Sequence, residues 1–245
     1  MWAAVLQARG RLALASGDPQ AARDHVLASG RLAREVLGTD NPAVVPWRSD
    51  AALAERQLGR ADAARALAEE EVRDARRFGA PRAVAVALRV QAVVAGGEEG
   101  VGLALEAVAA ARDGGAAAGL EHARALGTLG ALLRATRRRT EAQEHLRTAL
   151  DLADGHGAHA LARTVRDELV AAGGRPRRAR THGPRSLTAG ERRVAHLAAQ
   201  GLTNRQIADA LFVTPKAIGF HLGNVYRKLN IDGRDHLAAA LDTAR

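Results

Sequence analysis

The chain lacks cysteine, and among its 245 residues aromatic side chains make up only 2% and lysine occurs twice. Without cysteine there can be no disulfide bond and no cysteine-ligated metal centre. The longest apolar runs fall far short of the roughly 18 residues that cross a bilayer. Met1 leads into helix-forming sequence without a signal-peptide pattern. We therefore expect a cytoplasmic protein that does not contact membranes.

Residues typical of catalysis are also scarce. The four serines stand outside any G-x-S-x-G motif, and there is no H-E-x-x-H pair. His156 and His159 have a spacing that could place two metal ligands on one helix face, but they adjoin a glycine-rich turn. An incidental surface pair is the simpler interpretation. We expect no enzymatic activity, no metal and no cofactor.

The positive charge of the chain is unevenly distributed. The formal net charge is +9, and the segment 175–186 holds five arginines and no acidic residue. Residues 187–245 hold eight basic and five acidic side chains, which leaves about +1 for residues 1–174. A basic excess confined to the C-terminal part favours attraction to nucleic acid phosphates. The segment 175–186 is predicted to be a basic linker, either a passive tether or a contributor to that attraction.

Residues 1–174 contain an internal repeat. Similar segments begin at positions 13, 55, 92 and 132, and each joins a helix end, a glycine-rich or polar turn and a new helix start. A period of about 40 residues with two helices per unit is typical of a helical solenoid, in which each pair buries its apolar side against its neighbour. We predict a tetratricopeptide-like helical repeat domain with four helix pairs and a closing helix near His159 to Ala172.

The region 187–245 carries start signals for three short helices. Two are capping boxes, in which a threonine side chain and a Glu or Gln three positions later each accept a backbone N–H. The third is a threonine followed by proline, which suits the first position of a helix. In chain order the signals are Thr188 with Glu191, Thr203 with Gln206, and Thr214 with Pro215.

The third of these helices is predicted to have one apolar and one exposed face. Apolar residues recur along it at spacings of 4, 3 and 4, which places them on one side of a helix: Ile218, Leu222, Val225 and Leu229. The opposite side carries Lys216, Phe220, Gly223 and Arg227. A helix with a basic outer face, preceded by a short helix and a tight turn, is suited to enter a DNA major groove.

This region resembles the LuxR-type helix-turn-helix domain of bacterial transcription regulators. The resemblance rests on LTAGERRV, GLTNRQIADALFVTPK, His221 and VYRKL, and it extends from Leu187 to Leu241. It implies an all-α, four-helix domain whose helix 215–229 reads DNA. It also implies that the last helix, Arg234 to Leu241, pairs two monomers, for which Leu237 and Leu241 are the candidate apolar residues.

The repeat region is similar to the C-terminal repeats of the large ATP-binding regulators of the LuxR family. The similarity lies in the segment that begins NPAVVPWRSDAALAERQLGRADAAR. The ATPase part of those proteins is missing, because neither Lys216 nor Lys228 stands in a G-x-x-x-x-G-K-[ST] motif. The chain is thus either a fragment of a large regulator or a short relative without the ATPase. A small-molecule or protein effector is expected to bind the repeats.

Two groups of residues are predicted to contact double-stranded DNA. Side chains at the helix starts and along the third helix are expected to contact phosphates: Thr203, Asn204, Arg205, Thr214, Lys216, Arg227 and Lys228. The base-facing positions are Gly219, Phe220 and Gly223, where relatives often carry polar or charged side chains. Phe220 can contact a thymine methyl group, and the glycines either allow close approach or weaken specificity.

We therefore predict an all-α bacterial transcription regulator that binds promoter DNA, with or without dimerisation on DNA. The alternative is a helical-repeat interaction scaffold with a weak or nonspecific DNA-binding domain. The effector, the target genes, the direction of regulation and the oligomeric state in solution do not follow from the sequence.

Overall fold

The computed structural model describes residues 2–175 and 186–242, and within those ranges all regular structure is helical. The predicted all-α fold class is confirmed. No helix in the described ranges is long and apolar enough to cross a membrane. Most of the predicted linker, residues 176–185, lies outside the described residues.

The first described range holds nine α-helices and one short 3₁₀ helix. Their bounds are α1 Trp2–Ala15, α2 Pro19–Leu37, α3 Trp47–Gln57, α4 Ala61–Phe78, α5 Pro81–Ala95, α6 Gly97–Asp113, the 3₁₀ helix Gly115–Ala118, α7 Gly119–Ala135, α8 Arg139–Gly155 and α9 His159–Ala171. The short turns between α1 and α2, α3 and α4, α5 and α6, and α7 and α8 fall at the four predicted repeat positions. These helix bounds agree with the predicted four pairs and a closing helix.

Each helix packs on the next, and the odd-numbered helices also contact one another in succession from α1 to α9. The odd-numbered helices therefore form one layer and the even-numbered helices pack along it. This order of contacts is the one expected for stacked helix pairs. The assignment to a tetratricopeptide-like class stays a prediction.

Small side chains allow these helices to approach closely. Much of the buried surface is alanine, and glycines take positions where a larger side chain would collide with the neighbouring helix. A Cβ at Gly30 would lie 2.4 Å from Cδ2 of Trp47, and one at Gly130 would lie 2.4 Å from Cγ of Leu146. Close approach of helix backbones therefore forms most of this core, and Trp47 is an aromatic side chain buried in it.

A buried arginine links α3 to α4. Arg48 is 4% exposed and its guanidinium lies 4.5 Å from the Trp47 ring centroid. It pairs with Asp40, with Glu70 at 2.8 Å and with Asp74 at 3.6 Å. A buried cation needs such partners, because loss of hydration is otherwise uncompensated. No pattern in the sequence had indicated this cluster.

The second described range holds four α-helices around a separate apolar cluster. Their bounds are α10 Ala189–Ala199, α11 Asn204–Leu211, α12 Pro215–Leu229 and α13 Leu237–Asp242, with a 3₁₀ helix Arg234–His236 before α13. α10 contacts α11, α12 and α13, and α11 also contacts α12. The last helix was predicted from Arg234, but its first turn is 3₁₀ and the α-helix begins at Leu237.

Candidate nucleic-acid interface

The starts of α10 and α11 are fixed by capping boxes, as predicted. The Thr188 hydroxyl accepts the Glu191 backbone N–H at 3.2 Å, and a Glu191 carboxylate oxygen accepts the Thr188 N–H at 2.8 Å. The same reciprocal pair joins Thr203 and Gln206. Each box satisfies backbone donors that the first turn of a helix leaves free.

α12 begins immediately after a tight turn. Phe212 ends α11 in the left-handed backbone region, with φ of 56°, and the chain then enters α12 at Pro215. The Thr214 hydroxyl accepts the Ala217 N–H at 3.2 Å, which caps the new helix. The Phe212 side chain is 96% exposed and the Val213 side chain 46% exposed. The turn was predicted at this place, whereas the exposure of its apolar side chains was not.

The two faces of α12 are those predicted. Ile218, Leu222, Val225 and Leu229 are buried, and they share the cluster with Ile207 of α11. The other face is open to solvent: Phe220 is 70% exposed, and Lys216, Gly219, Gly223 and Arg227 are also exposed. One side of α12 is therefore buried in the core of the domain, and the other side remains accessible to a ligand.

Neither base-facing glycine is required by packing within the protein. A Cβ added at Gly219 or at Gly223 would meet no heavy atom within 4 Å beyond the atoms of its own helix backbone and chain neighbours. Neither glycine has a positive φ value. Because the two glycines have no side chain, the Phe220 ring projects beyond its neighbours on the solvent-facing side of α12.

Most predicted phosphate-contacting residues lie on exposed surface. Lys216, Arg205 and Arg227 are exposed, and Asn204 is partly exposed. Nη2 of Arg227 donates to Oδ1 of Asn224 at 2.8 Å, which orients the guanidinium along α12. The exposed Thr203 and Thr214 also belong to this group, although their hydroxyls already cap helices.

Lys228, also predicted to contact phosphate, makes an ion pair within the domain. Its ammonium donates to Oε2 of Glu191 at 2.6 Å, so it joins α12 to the capping box of α10. Burial alone would raise the pKa of Glu191, but the hydrogen bonds from Lys228 and from the Thr188 backbone together lower it. The Lys228 charge is thus neutralised within the domain.

Leu237 does not lie on the surface where a dimer contact would need it. Its side chain is completely buried in the same cluster as Val225 and Ile207, because α13 packs back onto α10. Leu241 is partly buried against that cluster. The spacing of two leucines four residues apart indicated an apolar helix face, but it did not show whether that face meets the core or a partner.

Arg234 holds the chain in place before α13. Its guanidinium donates to the Leu202 carbonyl and, at 3.3 Å from Nε, to the Ala198 carbonyl. Both acceptors lie at or after the C-terminal end of α10, and the Ala198 carbonyl also accepts the Gly201 backbone N–H at 3.1 Å. This contact joins the segment before α13 to the C-terminal end of α10.

No group of three or more His, Cys, Asp or Glu suited to a metal ion occurs within residues 2–175 and 186–242. His156 is the residue that follows α8, and its ring lies against Gly119, where an added Cβ would be 2.6 Å from Nε2. His159 begins α9.

Residues 185–241 match a family model described as bacterial regulatory proteins, luxR family. The C-terminal segment is a LuxR-type helix-turn-helix domain. Over 65 residues the chain is 46% identical to “Putative HTH-type transcriptional regulator Rv0890c” of Mycobacterium tuberculosis and to “Putative HTH-type transcriptional regulator Mb0914c” of Mycobacterium bovis. Each alignment covers 26% of this chain and 7% of the relative. The chain therefore spans only a small part of the length of these relatives.

Proposed function

We propose that the chain is a bacterial transcription regulator whose LuxR-type domain binds double-stranded promoter DNA. α12 lies in the major groove, and the helical repeats of residues 1–174 act as the sensor or partner-binding part. The protein acts in the cytoplasm without catalysis. The observation that supports this proposal is that α12 buries one face in the core of the domain and exposes the opposite face to solvent.

The charges on this surface support the proposed docking of α12 in the major groove. Lys216 lies in the first turn of α12 and makes no ion pair with any described residue, while Arg227 lies near its C-terminal end. Two cations at opposite ends of one exposed helix face can each contact a phosphate on either side of a groove. Between them lie Gly219, Phe220 and Gly223, and the glycines allow the backbone to approach base edges.

Removing either terminal cation tests this docking. In the intact chain, we expect Lys216→Ala and Arg227→Ala each to weaken binding to a selected duplex and to random duplexes by a similar factor, because phosphate contacts position the protein without specifying sequence. Fluorescence anisotropy with labelled duplexes measures both affinities. Arg73→Ala removes an equal charge from the exposed surface of α4 and should leave both unchanged.

The alternative function, an interaction scaffold, has one observation in its favour. Only one side chain, Phe220, projects from the three base-facing positions, and it can neither donate nor accept a hydrogen bond. Selection from a random duplex pool separates the two functions. Enrichment of a common motif supports the regulator, whereas wild-type protein that enriches no motif supports the scaffold.

A further inference from the structure

A groove of about 400 Å³ opens on the layer formed by the odd-numbered helices of the repeats. Its walls come from α1, α3, α5 and α7, together with the segment 42–46 that precedes α3. A volume of this size suits a small organic ligand. Four arginines line it, and we call it the arginine groove: Arg11 of α1, Arg82 and Arg89 of α5, and Arg124 of α7.

Two buried carboxylates hold three of these guanidinium groups in place. Nε of Arg11 donates to Oδ2 of Asp50 at 2.8 Å, and the Gln7 amide donates to the same oxygen at 2.8 Å. Arg89 donates through Nε to one oxygen of Glu121, and Nη1 of Arg124 lies 3.3 Å from the other. The Glu121 side chain is 2% exposed, so these bonds are protected from water.

The carboxylates leave much of the hydrogen-bonding capacity of the arginines unused. Neither Nη1 nor Nη2 of Arg11 or of Arg89 donates to any described residue. Arg82 is exposed and makes no hydrogen bond or ion pair through its side chain within the described chain. Guanidinium groups fixed through one nitrogen retain a pair of parallel donors, which matches the oxygens of carboxylate and phosphate groups.

The charge of the groove is positive. Four guanidinium groups face two carboxylates, which leaves a surplus of two positive charges in a cleft with low-dielectric walls. The surplus is local, because residues 1–174 as a whole carry a net charge of only about +1. The groups that would hold an anion are therefore gathered by the packing of three separate helices rather than by a basic stretch of sequence.

We propose that the arginine groove is a binding site for a small polyanionic ligand that carries at least two carboxylate or phosphate groups. Arg82 and Arg124 contact its charged groups directly, and Arg11 and Arg89 contact it through their free terminal nitrogens. Asp50 and Glu121 are positioning residues. This site belongs to the helical repeats alone and stands whether or not the LuxR-type domain binds DNA.

Isothermal titration calorimetry on the intact chain tests the site with citrate and inorganic pyrophosphate as probes, at ionic strength matched with sodium chloride. We expect one equivalent of at least one probe to bind saturably. The double variant Arg82→Ala/Arg124→Ala should weaken that binding by about tenfold or more, because it removes charge-assisted hydrogen bonds. Both substitutions preserve the pairs of Arg89 with Glu121 and of Arg11 with Asp50, so circular dichroism should show an unchanged fold.

A charge-matched control makes the result specific. The double variant Arg9→Ala/Arg65→Ala removes two exposed arginines that do not line the groove, and it should bind the probe within twofold of the wild type. The proposal is overturned if neither probe binds the wild type saturably, or if this control binds as weakly as Arg82→Ala/Arg124→Ala does. It is also overturned if Lys216→Ala/Arg227→Ala abolishes the binding, because the anion site would then be the exposed face of α12.

Discussion

We expect Phe220 to determine what the exposed face of α12 recognises. Its ring is 70% exposed and stands between two glycines whose surroundings are open. An apolar ring in a major groove favours the thymine methyl group over every other base-edge feature. Burying such a large apolar side chain against DNA would also offset the cost of keeping it in water in the free protein.

Replacing thymine by deoxyuridine in the selected DNA site tests this contact one methyl group at a time. At the thymine that faces Phe220, we expect about fourfold weaker binding, since a buried methyl group contributes roughly 0.8 kcal/mol. In Phe220→Ala the same base change should have no effect, which forms a double-mutant cycle measured by fluorescence anisotropy. Phe212→Ala, which removes an exposed ring outside α12, should retain the sensitivity. A wild type indifferent to every deoxyuridine would contradict the methyl contact.

Glu71 makes the stability of the repeats depend on pH. Burial raises its pKa to about 7, and the opposing effects of Arg48 and Ser49 are smaller. The contact to Arg48 is 3.9 Å, which is too long for a hydrogen bond. Because the folded-state pKa exceeds the unfolded value of 4.5, the folded state binds the proton more tightly. Glu71 therefore favours folding at low pH and lowers stability as the pH rises from about 4.5 to about 7.

The variant Glu71→Gln keeps the shape of this side chain without its charge. We expect it to unfold at a higher temperature than the wild type at pH 8 and at nearly the same temperature at pH 4.5. The difference in free energy of unfolding at pH 8 should not exceed about 3 kcal/mol. Glu70→Gln, which alters a half-exposed partner of Arg48, serves as the control. A destabilised Glu71→Gln at pH 8 would show that the ion pair with Arg48 outweighs the cost of burial.

Residues whose environment is set by their neighbours in sequence could be predicted. Phe220 and Arg227 could be placed on an exposed face because helical spacing fixes their direction. Arg48 could not be recognised as buried, since its carboxylate partners stand before α3 and within α4, outside its own helix. Leu237 was misplaced for the same reason: its burial depends on the packing of α13 onto α10.

At the scale of the helix, glycines at different positions have opposite consequences. Gly130 lies in α7 with Leu146 of α8 directly against it, and Leu146 is fully buried. Gly223 lies on the open face of α12. Gly130→Ala should lower the free energy of unfolding of the repeats by about 1–3 kcal/mol through overpacking. Gly223→Ala should raise the stability of the LuxR-type domain by up to about 1 kcal/mol through helix propensity.

DNA affinity then distinguishes two roles for Gly223. If its absent side chain permits close approach to the groove, Gly223→Ala binds the selected site more weakly although it melts at a higher temperature. Paired thermal denaturation and fluorescence anisotropy provide the two quantities. Undiminished preference for the selected site in a stabilised variant would rule out close approach, and Gly130→Ala controls for effects of substitution that do not involve the DNA-facing surface.

Helix boundaries were the most predictable feature of this chain. The capping boxes and the Thr-Pro start are local patterns, and they placed the first residues of α10, α11 and α12 correctly. The repeat turns were found for the same reason. The 3₁₀ turn at Arg234 was missed because the hydrogen bonds of Arg234 to α10 and to Leu202 arise only in the folded domain.

For the whole molecule, we expect the basic segment 175–186 to contribute to the salt dependence of DNA binding. Deleting it should weaken binding and flatten the slope of log affinity against log salt by about 0.9 for each phosphate that the protein no longer neutralises. Affinities measured by anisotropy between low and physiological salt give that slope. A linker of equal length in which the five arginines are replaced by serine keeps the tether and should show the same flattening. An unchanged slope in both variants would make the segment a passive tether.

The arginine groove could not be found from sequence because it is a property of the assembled helices. Its four arginines come from three helices, α1, α5 and α7, that are far apart along the chain, and each alone resembles an ordinary surface charge. The helical period predicted which helices would be neighbours. It did not predict which side chains the stacked odd-numbered helices would bring to one cleft.

The scarcity of aromatic residues gives the protein two built-in optical reporters. Trp47 packs against Arg34 and Arg48 in the repeats, and its indole N–H donates to Asp40 at 2.8 Å. Tyr226, the single tyrosine, packs against the core of the LuxR-type domain. The other tryptophan, Trp2, is 73% exposed and is already in contact with water in the folded state. Tryptophan emission therefore follows unfolding of the repeats, because both tryptophans lie there. The tyrosine band of the second-derivative near-ultraviolet spectrum, which is separated from the stronger tryptophan bands, follows unfolding of the LuxR-type domain in the same unlabelled sample.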